Sequence, residues 1–336
     1  GLGGGGFWLL HRAEDGRQVM VDGRETAPGA AHRDLYLDAD GEIIPGASID
    51  GPLAAAIPGV PAALVHLARE YGRLDLATTL GPAIRLAREG VAVTPHYRRL
   101  AAFRQEVLQR HPRAAAIFLD QGAVPPVGQL LVQPELARTL EALAAEGREG
   151  FYAGPVAAEM VRAVRAAGGI WTLEDLAGYR AREREPVVAR YGDWRLVSAS
   201  PPSSGGVALA TMLNILAGFD LAAMDPVART HHVVEAMRLA YRDRARHLGD
   251  SDFVDVPLER LTSAAHAERL RARIHPDRAL RSARLGGAPG VEAEGRDTTH
   301  FSVLDREGNR VAATLSINYP FGAGMVAGAT GVLLND

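Results

Sequence analysis

The run Asp297-Thr298-Thr299-His300-Phe301-Ser302-Val303-Leu304-Asp305 sets a threonine at the head of a strand-like segment, behind a glycine-rich stretch. A threonine hydroxyl attacks a carbonyl poorly unless a base stands beside it. Making the threonine the first residue of a chain solves this, because its own α-amine then takes the proton. A free α-amine titrates at roughly 7.7–8.0, much nearer neutral pH than a lysine. Thr298 acquires that amine only if the Asp297–Thr298 bond is cut. The polar, glycine-rich stretch before it and the strand after it suit such a cut.

The neighbouring elements must hold that hydroxyl in place. Thr299 to Asp305 and Arg310 to Asn318 both read as strands, and Arg306-Glu307-Gly308 between them is a three-residue hairpin turn with glycine at the left-handed position. Pairing Asp305 with Asn309 sets Thr298 opposite Ser316, with Asn318 farther along the same face. A two-residue Glu307-Gly308 turn would set Ile317 opposite Thr298 and turn Ser316 away. The first register gathers a nucleophile, a hydroxyl and an amide; the second gathers none. The first is therefore expected.

Other constellations carry less chemistry. Gly1-x-Gly3-x-x-Gly6 matches a dinucleotide fingerprint, but that motif needs a strand before it and a helix N-terminus after it. Here Phe7-Trp8-Leu9-Leu10 reads as a strand, so a tight, closely packed turn explains the glycines better. His231 and His232 are adjacent on a helix and cannot face one ion. Asp250, Asp252 and Asp255 lack the glycine and closing glutamate of a calcium loop. Ser203-Ser204-Gly205-Gly206 lacks the spacing of a nucleophile elbow and reads as a helix entrance. No metal or cofactor is expected.

The body that carries the hairpin reads as α+β. Gly6 to His11 and Arg17 to Asp22 form a strand pair around Glu14-Asp15-Gly16. The pattern from Pro58 to about Ala153 is mostly helical, with runs near 78–89, 96–109 and 134–145. Further helices run from Val156 to about Ala167, over 207–217, and from Asp225-Pro226 to about Leu248. Thr172 and Asp175 make a capping box. Val187 to Tyr191 pairs with Trp194 to Ser198, and Arg278 to Arg296 reads as a mobile loop. Central helices between strand pairs fit a layered α+β body better than alternating βαβ units.

Composition narrows the classes. Apolar residues make up 47% of 336 and charged residues 23%, the balance of a soluble globular chain. The net charge of −3 gives no reason to expect a nucleic-acid partner. No apolar run reaches the ~18 residues that a membrane span needs. With no cysteine, thiol catalysis, disulfides and thiolate metal sites are excluded. The chain opens on glycines without Met and closes on Gly331-Val332-Leu333-Leu334-Asn335-Asp336, inside a strand-like run, so both ends read as cut.

Taken together, these residues resemble the gamma-glutamyltransferase family. The resemblance rests on Thr298-Thr299-His300-Phe301-Ser302-Val303 with Asp305-x-x-Gly308-Asn309, then Ser316-Ile317-Asn318, Phe321-Gly322-x-Gly324 and Gly331-Val332-Leu333-Leu334-Asn335. Upstream it includes Gly3 to Phe7, Asp22-x-Arg24-Glu25-Thr26-Ala27-Pro28, Pro201-Pro202-Ser203-Ser204-Gly205-Gly206, and Tyr241-x-Asp243-Arg244 with Leu248-Gly249-Asp250. It spans the whole chain in the family's order.

The resemblance implies the N-terminal-nucleophile hydrolase αββα sandwich, truncated here at both ends. It implies self-cleavage between Asp297 and Thr298, with residues 1–297 belonging to the large subunit and 298–336 opening the small one, together a single domain. Thr298 would carry the γ-glutamyl group of glutathione to water, or to an amino acid or peptide acceptor. Arg24 would hold the donor's α-carboxylate, a task that suits a planar, permanently charged fork. Asn318 would bind the same end, Ser316 would tune the nucleophile, and Thr299 is the second threonine of the pair. Export to the periplasm or medium is also implied. The glycine pair of the oxyanion hole, a serine pair and the acidic residue that reads the α-amine would lie beyond Asp336, so the fragment alone is expected to be inactive. A glutaryl-cephalosporin type acylase and an inert family member are the alternatives.

Overall fold

The computed structural model describes residues 1–285 and 298–336. Its strands are β1 (Gly5–His11), β2 (Gln18–Gly23), β3 (Val91–Ala92), β4 (Leu130–Leu131), β5 (Arg182–Arg184), β6 (Val187–Tyr191), β7 (Trp194–Ser198), β8 (Thr299–Leu304) and β9 (Arg310–Ser316). A five-stranded antiparallel sheet runs β5-β2-β1-β9-β8. β3 pairs with β4, and β6 pairs with β7 as the sequence predicts.

The sheet joins opposite ends of the chain. β1 and β2 form the expected hairpin, and β9 lies against the other side of β1 with Phe7 opposite Thr314. β8 extends the sheet from β9 in the first of the two registers, Thr299 opposite Leu315 and Leu304 opposite Arg310. The Asp305 amide donates to the Asn309 carbonyl at 3.1 Å, and Gly308 takes φ +91°. The glycines at the start of β1 permit close contact. A Cβ on Gly4 would lie 2.0 Å from the Ser316 carbonyl oxygen, and one on Gly5 would lie 2.2 Å from Glu25 Oε2. A strand follows them and no helix N-terminus does, so the dinucleotide reading lacks its required element.

One face of the sheet packs on the Val60–Glu70 helix through Trp8, Val21, Ala313, Val60 and Ala63. The main core lies among the helices Pro134–Glu146, Gly154–Ala166 and Leu173–Gly178, around Leu143, Phe151, Tyr152, Met160 and Trp171. Met325, Ala327, Val332 and Leu334 enter this core from beyond β9. Polar atoms inside it are satisfied. The Trp171 indole donates to the Ala55 carbonyl at 2.8 Å, and the Tyr152 hydroxyl donates to the Pro58 carbonyl at 2.7 Å. A second cluster, including Ile215 and Leu239, joins the helices Gly205–Leu216, Pro226–His247 and Ala264–Arg271. The Thr172–Asp175 capping box and the Asp225 N-cap are both present.

The expected helix over 96–109 is divided into Pro95–Phe103 and Gln105–Arg110. Arg104 leaves helical geometry there, and its buried guanidinium meets Asp50 at 2.8 Å and the Gly322 carbonyl at 2.7 Å. Within the expected loop from Arg278 to Arg296, Ser282–Leu285 forms a helical turn, and 286–296 lie outside the described residues. His231 and His232 hydrogen-bond different carbonyls, those of His275 and Ala228. Asp252 of the suspected calcium loop is taken by Arg182 and Arg184.

Candidate active site

Strand order decides which residues meet. At one end of the sheet the chain passes Arg24 just after β2, Gly5 and Gly6 in β1, Ser316 at the end of β9, and Thr298 just before β8. Gly6 pairs with Gly23, Gly5 pairs with Ser316, and the β8–β9 register continues to set Thr298 opposite Ser316. An open cavity of about 760 Å³ lies over this end, lined by Thr298, Arg24, Ser316 and Asn318 among others. The Asp297 half of the expected cleavage site lies outside the described residues.

Arg24 is fixed through its backbone while its side chain reaches into solvent. Its amide donates to Asp22 Oδ1 at 2.9 Å, and its carbonyl accepts from the Tyr179 hydroxyl at 2.7 Å. The guanidinium sits 5.9 Å from the centroid of the Phe7 ring and 3.8 Å from Glu25 Oε2. Burial pushes the Glu25 carboxyl above its ordinary pKa, against backbone hydrogen bonding and the charge of Arg24.

At the other wall, the Ser316 hydroxyl accepts from the Asn318 amide at 2.8 Å. β9 stops there, and Asn318 takes φ +68°, a left-handed conformation that asparagine tolerates better than most residues. Asn318 therefore does not reach the cavity by continuing along the strand face; a turn carries it there. Its Nδ2 donates to Asp336 Oδ2 at 2.9 Å, and the Tyr319 amide donates to Asp336 Oδ1 at 3.0 Å. Burial raises the Asp336 carboxyl to about 6, opposed by these two hydrogen bonds.

Thr299 is not brought to the cavity. It pairs with Leu315, and successive side chains along a strand point to opposite faces, so Thr299 faces away from Thr298. In its place on the cavity face, His300 Nδ1 lies 2.8 Å from the Thr314 hydroxyl, and Thr314 lines the cavity.

Several lining residues had been given no role from sequence. Ser203 and Ser204, read there as a helix entrance, line the cavity, and Arg244 Nε donates to Ser204 Oγ at 2.9 Å. Glu25 and Arg244 each sit inside a quoted motif, Arg24-Glu25-Thr26 and Tyr241-x-Asp243-Arg244, so a signal was present without a function. Asp336 carried none. A hydroxyl on the sheet end, a guanidinium opposite it, and an amide held by a carboxylate suit an acyl compound that bears its own carboxylate. Among the described residues there is no group of His, Asp or Glu able to hold a metal ion. None of the described helices is long and apolar enough to cross a membrane.

Comparison with known proteins gives the following. A family model described as gamma-glutamyltranspeptidase matches residues 1–336. A glutathione hydrolase proenzyme of Pseudomonas sp. (strain A14) is 41% identical over 339 residues, covering 100% of this chain and 58% of that protein. The chain thus spans less than two thirds of the length of that relative. The crystal structure of Helicobacter pylori gamma-glutamyltranspeptidase superposes with a TM-score of 0.83 at 36% identity, covering 88% of this chain and 85% of that one. A cephalosporin acylase from Bacillus halodurans gives a TM-score of 0.84 at 29% identity, covering 100% of this chain and 61% of that one.

Proposed function

Because the chain belongs to the gamma-glutamyltranspeptidase family and has its α+β N-terminal-nucleophile hydrolase fold, we propose that this protein is a gamma-glutamyltransferase with glutathione hydrolase activity. Thr298 Oγ first attacks the Asp297 carbonyl. The peptide C–N bond breaks as an ester forms, which frees the Thr298 α-amine, and water then cleaves that ester to give back the Thr298 hydroxyl and leave the Asp297 carboxylate. The new amine then takes the proton from the Thr298 hydroxyl as it attacks the γ-amide of glutathione. The leaving amine departs with a proton, and a γ-glutamyl ester stays on Thr298. Water releases glutamate from it; an amino acid or peptide amine takes the group in transfer.

Arg24 holds the donor's α-carboxylate as a charge-assisted fork. Asn318 binds the same end, and Ser316 positions and polarises the nucleophile from across the strand pair. Residues 1–297 and 298–336 act as parts of the large and small subunits within one folded body. The shared core of Met325 and Leu334 with Trp171 supports that organisation. The observation that carries the functional reading is the cavity common to Thr298, Arg24, Ser316 and Asn318. Export to the periplasm or the medium belongs to the same reading and is checked by cell fractionation.

The test uses the full-length protein. A denaturing gel is expected to give two fragments, the smaller beginning at Thr298 by N-terminal sequencing. The processed protein is expected to cleave γ-glutamyl-p-nitroanilide and glutathione faster than glutaryl-p-nitroanilide. Both anilides carry the carboxylate that Arg24 would hold, so their contrast reads recognition of the α-amine. A preference for the glutaryl compound would move the protein to the acylases, and a lasting single band would mark it as inert.

A further inference from the structure

A half-exposed arginine has many rotamers, so its backbone decides where the guanidinium is aimed. Arg24 lies one residue beyond β2, at the partition between the catalytic cavity and a second cavity of about 660 Å³. Asp22 Oδ1 accepts from the Arg24 amide at 2.9 Å, and Asp22 is only 7% exposed. A buried carboxylate persists only with strong partners. Its second oxygen accepts from Arg184 Nε at 2.7 Å, and the far side of the same guanidinium forks onto Asp252, at 3.0 and 2.7 Å. Asp252 also meets Arg182 at 3.0 Å. One guanidinium in β5 therefore ties the end of β2 to the loop after the Pro226–His247 helix, whose Leu248 and Gly249 line the catalytic cavity.

We propose that Asp22 and Arg184 are positioning residues that aim Arg24 at the donor's α-carboxylate. This rests on the carboxylate-binding role given to Arg24 above. An ion pair that only stabilised the fold would weaken all donors alike. This one ends on the backbone amide of the residue that meets substrate, so its loss falls on donors that carry the carboxylate. Small displacements of a binding group are costly, on the order of a hundredfold per ångström in the worst cases.

The experiment compares γ-glutamyl-p-nitroanilide with 4-aminobutyryl-p-nitroanilide, which keeps the amine and leaving group but lacks the carboxylate. The full-length processed protein and its Asp22→Asn, Arg184→Met, Arg184→Lys and Arg24→Gln variants are measured for kcat/KM on each, with Tm alongside. Arg24→Gln is expected to lower the selectivity ratio about a hundredfold. Asp22→Asn and Arg184→Met are each expected to lower it about tenfold, mainly through KM, and the double variant should fall no further than either alone. Arg184→Lys, which keeps the charge without the fork, should lie between them and the parent. Should Arg184→Met fail to fold, the near-isosteric Asp22→Asn carries the test. If Asp22→Asn lowers Tm while the ratio stays at the parent value and Arg24→Gln collapses it, the positioning role is overturned and the role of Arg24 stands. An unchanged ratio in Arg24→Gln overturns both.

Discussion

The helical body around Trp171 and the cavity end of the sheet are built on opposite terms. In the body, Trp171, Leu143, Met160 and Leu176 are fully buried, and each internal polar atom named above has a partner. The edge strand β8, which leads away from the cavity, is exposed along its whole length, including Phe301 at 43% and Leu304 at 69%. The site residues at the cavity end are held by hydrogen bonds to their backbones and by strand register. The contrast teaches that stability and chemistry occupy different places in this chain. They touch at a few joints: Tyr179 stacks on Tyr152 in the body and donates to the Arg24 carbonyl at the site.

The contrast is broken most severely by Thr298→Ala. Processing should stop, and turnover should fall on the order of 10⁴-fold or more. Thr298 is exposed, so the unfolding midpoint should not move. A destabilised Thr298→Ala protein would mean that the cavity end carries stability after all.

Trp171→Ala is the converse. Losing a fully buried indole should cost about 3–5 kcal/mol in urea unfolding. The fraction that still folds should keep its KM, because Trp171 is not among the described residues that line the cavity.

Arg24→Gln should cost about 2.7 kcal/mol in kcat/KM for γ-glutamyl donors, the hundredfold loss of a charge-assisted contact, with little change in Tm. A comparable loss on a donor without the carboxylate would place the effect in folding instead.

The smallest effect tests a joint within the body, where a core helix meets the segment beyond β9. Glu159 on the Gly154–Ala166 helix accepts from Arg162 at 2.7 and 2.8 Å and from the Ala329 amide at 2.8 Å. Arg162 first, and then the Ala329 amide, lower the Glu159 carboxyl to about 2. A lowered folded-state pKa means that the ionised form is favoured by folding. Its contribution is present above the unfolded value of 4.5 and is lost as pH falls toward about 2. After allowance for solvent screening that contribution is about 1 kcal/mol. Glu159→Gln should therefore be less stable than the parent at pH 7, with the gap closing as unfolding is followed down to pH 2.

Short-range geometry was legible in the sequence. The Gly308 turn fixes the β8–β9 register, and the register fixes Thr298 opposite Ser316. The Thr172–Asp175 box and the Asp225 cap follow from side chains three residues or fewer from the amides they bind. The same period of two already turned Thr299 away from the cavity, although its place in the motif had marked it as a site residue. What lay beyond reach was contact between distant segments. Nothing local foretells that β9 settles against β1, that Arg184 completes Asp22, or that Asp336 meets Asn318 where β9 gives way to a left-handed turn. The proposed nucleophile and the hairpin that presents it were readable from the sequence, because hydrogen bonding and sterics act over a few residues. How Arg24 and Asn318 are held around Thr298, and that Asp336 joins them, came from the folded chain alone, because such contacts depend on how the whole core packs.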